Sequence, residues 1–133
     1  MAVIFSKKSE LPITSFDWGD NVLRLEPKAS GCTTMVVMDV TLEPGGMHNF
    51  HKHPDQDEIL IVLSGSITQY VGEEIQLLQA GDSAYVPRNT VHASFNDSQE
   101  ATTIQVVLAP PMGESGYELI DVAHESPWKD IRG

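Results

Sequence analysis

From residue 33 onward the chain alternates short apolar runs with punctuation. "TTMVVMDVTL" (33–42) is rich in β-branched residues and Met and is followed by "PGG" (44–46). The runs "EILIVL" (58–63), "SITQYV" (66–71), "IQLL" (75–78), "SAYV" (83–86), "TVHASF" (90–95) and "ATTIQVVLA" (101–109) are separated by "SG", "GEE", "AGD", "PRN" and "NDSQE". Turn signals at this spacing, about every 8–12 residues, are the cadence of an all-β sandwich or barrel. No stretch of helical length carries an i, i+3, i+4 apolar pattern. The expected architecture is all-β, one domain over residues 1–133, with the barrel at about 31–110. The ends, 11–25 and 117–133, supply edge strands and loops, with Trp18 and Trp128 as packing anchors.

Side chains alternate along a strand. In "EILIVL", Glu58, Leu60 and Val62 therefore share one face and Ile59, Ile61 and Leu63 the other. Both faces are apolar, so both need cover. One lines the barrel, and the other packs on a second sheet, on the chain's own ends, or on another subunit. A homodimer is the expectation.

Composition narrows the partners. The net charge is -11. Nucleic acid is excluded, because phosphate binding requires clustered Lys and Arg, and an anionic membrane surface is disfavoured for the same reason. No run approaches the ~20 apolar residues of a membrane span. The start, "MAVIFSKKSELPIT", lacks the order of a secretory leader. The one cysteine, Cys32, forms no internal disulfide. These features predict a cytoplasmic protein.

The chemistry concentrates in "GGMHNFHKHPDQDE" (45–58), which holds three of the five histidines. On an extended strand His51 and His53 share a face with Met47 and Asn49, whereas His48, Phe50 and Lys52 take the opposite one. His51 and His53 thus form a chelating pair from which alternation excludes His48. Pro54 ends the strand. If the chain turns back there, Glu58, at the start of the next strand, returns beside the pair, with Asp55 and Asp57 in an exposed turn. His92 lies in a separate strand with no local link to the cluster.

Together these positions resemble the two motifs of the cupin superfamily, in its small single-domain, conserved-barrel form. The first, G-x5-H-x-H-x(3,4)-E-x6-G, is matched by Gly45, His51, His53, Glu58 and Gly65. The second, G-x5-P-x-G-x2-H-x3-N, is matched by Gly81, Pro87, His92 and Asn96. Asn89 replaces its second glycine. Asn is the non-glycine residue that best tolerates a left-handed turn. The resemblance covers about residues 31–110. It implies an antiparallel jelly-roll (double-stranded β-helix) barrel. It also implies one divalent transition metal per chain, held by His51, His53, Glu58 and His92. That ligand set suits Fe, Mn, Ni, Co, Cu or Zn.

Alternation adds Met47, Asn49 and Ser94 as pocket residues. Gln69, which interrupts the apolar face of its strand, and Tyr85, two residues before the motif proline, complete the set. Between residues 31 and 110 only Lys52 and Arg88 are basic. A phosphosugar or polycarboxylate substrate calls for convergent Arg or Lys. The expected ligand is therefore a neutral small molecule that chelates the metal with its own oxygens, of flavonol or enediol type. The expected activity is that of a metal-dependent dioxygenase, an oxidoreductase, with Glu58 as ligand or proton acceptor. The alternatives are a non-catalytic metal-containing binding module and a metal-dependent isomerase or lyase. Zn would favour these alternatives, because it has no redox chemistry.

Overall fold

The computed structural model describes residues 5–132. Its strands are β1 (Ile13–Phe16), β2 (Gly19–Leu25), β3 (Val36–Leu42), β4 (Met47–Lys52), β5 (Asp57–Ser64), β6 (Ser66–Val71), β7 (Glu74–Gln79), β8 (Ser83–Val86), β9 (His92–Phe95), β10 (Thr102–Ala109) and β11 (Ile120–Asp121). They form two antiparallel sheets, ordered β1-β2-β3-β10-β5-β8 and β11-β4-β9-β6-β7. The strands breathe the period of the sequence: each apolar run is one strand and each punctuation cluster one turn. The left-handed turn at the motif's substituted position is present, with Asn89 at φ 62°. Among the described residues no helix is long and apolar enough to cross a membrane.

Period-2 alternation builds the core between the sheets. Val36, Met38, Val40 and Leu42 of β3, Leu60 and Val62 of β5, Ile67 of β6, and Ile104, Val106 and Leu108 of β10 are all buried in one cluster. Each such side chain contributes about 1.5–3 kcal/mol by leaving water.

The outer faces are treated differently in the two sheets. On β4, β9 and β6, Phe50, Tyr70, Ala93 and Phe95 form a second cluster, which the C-terminal segment covers with Val122 and Trp128. Arg132 completes this cover. Its guanidinium lies 4.0 Å from the Phe95 ring centroid and pairs with the Asp97 carboxylate. The chain's own end thus covers this face. On the other sheet, Ile59 and Leu63 of β5 remain exposed beside Tyr85 of β8.

Candidate metal centre

His51 and His92 are cross-strand partners of β4 and β9, so their rings face each other with centroids 4.2 Å apart. His53 follows β4 directly and keeps the inward direction. Glu58 enters from β5, in the opposite sheet, after the turn at 54–56. One nitrogen from each of His51, His53 and His92 lies within 4.8 Å of the others. Glu58 Oε1 is 3.2 Å from both His53 Nε2 and His92 Nε2. All four residues are buried.

The protonation of these rings follows from their hydrogen bonds. A carbonyl only accepts, so a ring nitrogen facing one must donate. His51 Nδ1 donates to the Asn49 carbonyl at 2.7 Å, and His92 Nδ1 to the Thr90 carbonyl at 2.9 Å. His53 Nδ1 donates to the Glu118 carbonyl at 2.7 Å. In the neutral rings each Nε2 then carries a lone pair. His92 Nε2 is fully buried and aligned with no hydrogen-bond partner. Lone pairs on His53 and His92 thus meet an anionic oxygen at short range, an arrangement that needs a cation among them. A proton meets that need in part. A divalent transition ion meets it fully, and imidazole with carboxylate is a donor set that fits such an ion.

The electrostatics agree. Burial acts to raise the Glu58 pKa, but the histidines beside it outweigh that and hold its carboxyl well below the usual range. Burial acts to lower the His92 pKa, yet the Glu58 carboxylate prevails and moves it upward. Burial, aided by His92, pushes His51 down to about 3.

One sequence expectation is corrected here. Alternation from His51 turns His48 away from the site, but His48 faces the same cavity, its ring centroid 5.9 Å from that of His51. The cause is a β-bulge. His48 opposes Ser94 and His51 opposes His92, so β4 spends one residue more than β9 between the two pairs. The Asn49 side chain caps the irregularity by accepting the Phe50 N–H at 2.9 Å. His48 is not in the converging trio. Burial holds its pKa at about 4, against the pull of Glu58.

The same bulge corrects Met47, which opposes Phe95 and lies in an outer groove with Trp128 rather than in the cavity. Tyr85 is also outside. It opposes Ile59 on the outer face, is 62% exposed, and its hydroxyl points to Asp57. Ser94 and Asn49 line the cavity. Gln69 stands one layer behind, buried, where its Oε1 accepts the Ser94 hydroxyl at 2.6 Å. Arg88 is spent on Asp57 at the surface, at 3.1 Å.

The cavity holds about 270 Å³. Its floor is Met38, Ile104, Val106 and Leu108. Its rim comes from the edge strands and loops outside the two motifs: Phe16, Trp18 and Asn21 from the N-terminal side of the chain, Tyr117, Leu119 and Asp121 from the C-terminal side. Trp18 stacks on Phe16 at 4.7 Å and meets the His48 ring edge-on at 4.6 Å. Among the described residues lining the cavity there is no Lys or Arg.

Two antiparallel sheets that close around buried histidines and a carboxylate define the class of jelly-roll barrels with a metal-binding pocket. The chain belongs to the cupin domain family, whose model matches residues 38–108. YdbB of Bacillus subtilis is 42% identical over 48 residues, which are 35% of this chain and 42% of YdbB. A germin-like protein of Morus alba is 31% identical over 87 residues, which are 62% of this chain and 41% of that protein. The chain thus spans about two fifths of the length of these curated relatives. The structure of KdgF from Halomonas sp. superposes with a TM-score of 0.74 at 17% identity, covering 84% of this chain and 96% of KdgF. At that identity the likeness shows the fold.

Proposed function

We propose that this cupin is a metal-dependent dioxygenase-type oxidoreductase acting on a small, neutral, chelating substrate of flavonol or enediol type. The observation that carries this reading is the cavity itself: a buried His and Glu centre in a largely apolar chamber with no Lys or Arg among the described residues that line it. A dianionic or phosphorylated substrate would lack its counter-charge there. At about 270 Å³ the chamber lies just below the usual range of roughly 300–1,000 Å³ for small-molecule pockets.

His51, His53, His92 and Glu58 would hold the ion, which when bound supplies a Lewis acid and a redox partner for dioxygen. The protein's own groups do the rest. The Glu58 carboxylate either stays a ligand or takes the hydroxyl proton of an approaching substrate. Asn49, Ser94 and His48 offer hydrogen bonds to its remaining polar atoms. Met38, Ile104, Val106, Leu108 and Trp18 exclude water and fit its carbon frame.

The test is elemental analysis of untagged protein, followed by oxygen uptake on a panel of flavonols and enediols under ¹⁸O₂. Substrate-dependent uptake with both labelled atoms in product is expected. Zinc as the native ion, with no uptake after loading with Fe, Mn, Ni, Co or Cu, would refute the dioxygenase reading in favour of an isomerase, lyase or binding module.

We further propose that a second copy covers Ile59, Leu63 and Tyr85. Light scattering should give a dimer mass for wild type and a monomer mass for Leu63→Lys. A monomeric wild type would refute it.

A further inference from the structure

Of the three histidines, two are oriented locally and one is not. His51 and His92 each donate to the carbonyl two residues earlier, so their own strands set their rings. His53 donates to the Glu118 carbonyl, 65 residues away. Its orientation therefore depends on whatever holds Glu118 in place.

Gln56 holds it. By residue type Gln56 is a candidate ligand beside His53, but its amide is already committed elsewhere. It is 1% exposed and absent from the cavity lining. Its Nε2 donates to the Pro110 carbonyl at 2.7 Å and to the Gly116 carbonyl at 3.0 Å. Its Oε1 accepts the Glu118 N–H at 3.1 Å. Both donors are spent, on the entry and the exit of the loop that leaves β10. The peptide groups of Glu118 are thus clamped on both sides: the N–H by Gln56 and the C=O by His53. The same loop carries Tyr117 and Leu119 into the cavity wall.

We propose that Gln56 is a positioning residue for the metal centre, holding His53 in its Nδ1–H tautomer, with Nε2 toward the ion, by way of the Glu118 backbone. The inference rests on the metal reading above. Outer hydrogen-bond partners of metal-ligating histidines fix the tautomer and ring angle in this way, and losing one weakens metal affinity about 10- to 100-fold.

The test compares wild type with Gln56→Met, which keeps the length and apolar stem and removes all three hydrogen bonds. In metal-free protein, long-range ¹H–¹⁵N spectra of the imidazoles should show His53 as the Nδ1–H tautomer in wild type. In the variant His53 should shift toward a tautomer mixture while His51 and His92 keep theirs. Co(II) titration should give a dissociation constant about 10- to 100-fold weaker. Phe50→Leu, in the outer cluster, is the control for general destabilisation and should leave both readouts unchanged. Where Gln56→Met does not fold, Gln56→Asn withdraws the amide by one methylene and should move the same two readouts in the same direction. An unchanged His53 tautomer with Co(II) affinity within twofold of wild type would overturn the proposal. So would a simultaneous loss of tautomer order in all three histidines, which marks a merely structural role. Wild-type protein that binds no Co(II) would remove the metal centre itself. The tautomer comparison needs no metal and would then still decide whether Gln56 positions His53.

Discussion

Gly65 closes the first motif and Gly81 opens the second, and replacing each by alanine should have unequal effects. Both have left-handed φ, 80° at Gly65 and 94° at Gly81. That conformation costs a non-glycine residue roughly 1–2 kcal/mol. At Gly81 this is the whole penalty, since a Cβ there meets nothing within 4 Å. At Gly65 the new Cβ would lie 2.4 Å from Thr102 Oγ1 and 2.9 Å from the Ala101 carbonyl oxygen. Thr102 cannot easily retreat. It is fully buried, and its hydroxyl donates to the Ser66 carbonyl at 2.8 Å and accepts the Ser66 N–H at 3.0 Å. Overpacking of this kind costs about 1–3 kcal/mol more. Gly65→Ala should therefore lose roughly 2–5 kcal/mol in total, a large share of the ~5–15 kcal/mol that stabilises a typical domain. Urea unfolding of the metal-free proteins would read the difference as a midpoint lower by roughly 1 M for Gly65→Ala than for Gly81→Ala, at unchanged slope. Midpoints that coincide would refute the claim that the Thr102 contact, rather than backbone strain, dominates at Gly65.

His51→Ala and His92→Ala should each lose most bound metal, while His48→Ala keeps it and raises KM for a substrate that fills the cavity. Equal metal loss in all three, by elemental analysis, would place His48 among the ligands. Acid should destabilise the metal-free fold. His48 and His51 stay neutral in the folded chain down to about 4 and about 3, whereas in the unfolded chain they take up protons below 6.5. The unfolded state then binds more protons, and stability falls as pH drops through 6.5. His92 carries a raised pKa, so its contribution is already complete below 6.5 and adds no opposing slope there. Thermal melts in chelator should give a lower midpoint at pH 5.0 than at pH 6.5, where only the His48 and His51 contributions still change; an equal or higher one would contradict the assignment.

Strands, turns and the two motifs were legible in the sequence because each rests on local rules: period-2 burial, Gly and Pro punctuation, and Asn as a left-handed substitute. The turn-back that returns Glu58 to His53 was legible for the same reason. The faces of Met47 and His48 were not. A bulge is a mismatch between two strands, and Asn49 reveals it only when β9 is laid beside β4. Tyr85 was misplaced because its nearness to Pro87 in sequence says nothing of its face, which its pairing with Ile59 decides. The cavity wall at Tyr117, Leu119 and Asp121 left no local signal, since that segment is held by the distant Gln56 side chain. The C-terminal cover over Phe50 and Phe95 left no local signal either, and only the docked Trp128 and Arg132 reveal it.

The rim of the cavity and its metal-facing floor come from different parts of the chain. His51, His53, Glu58 and His92 fall inside the segment matched by the family model, 38–108. Phe16, Trp18, Asn21, Tyr117, Leu119 and Asp121 all fall outside it. Inheritance of the barrel therefore fixes only part of the surface a ligand meets: Met38, Asn49, Ser94 and Leu108 lie within the shared segment, and the six rim residues do not. Exchanging residues 11–25 between two such barrels would alter ligand preference without touching the four metal-facing residues, whereas exchanging 110–132 would also reach His53 through the Glu118 carbonyl.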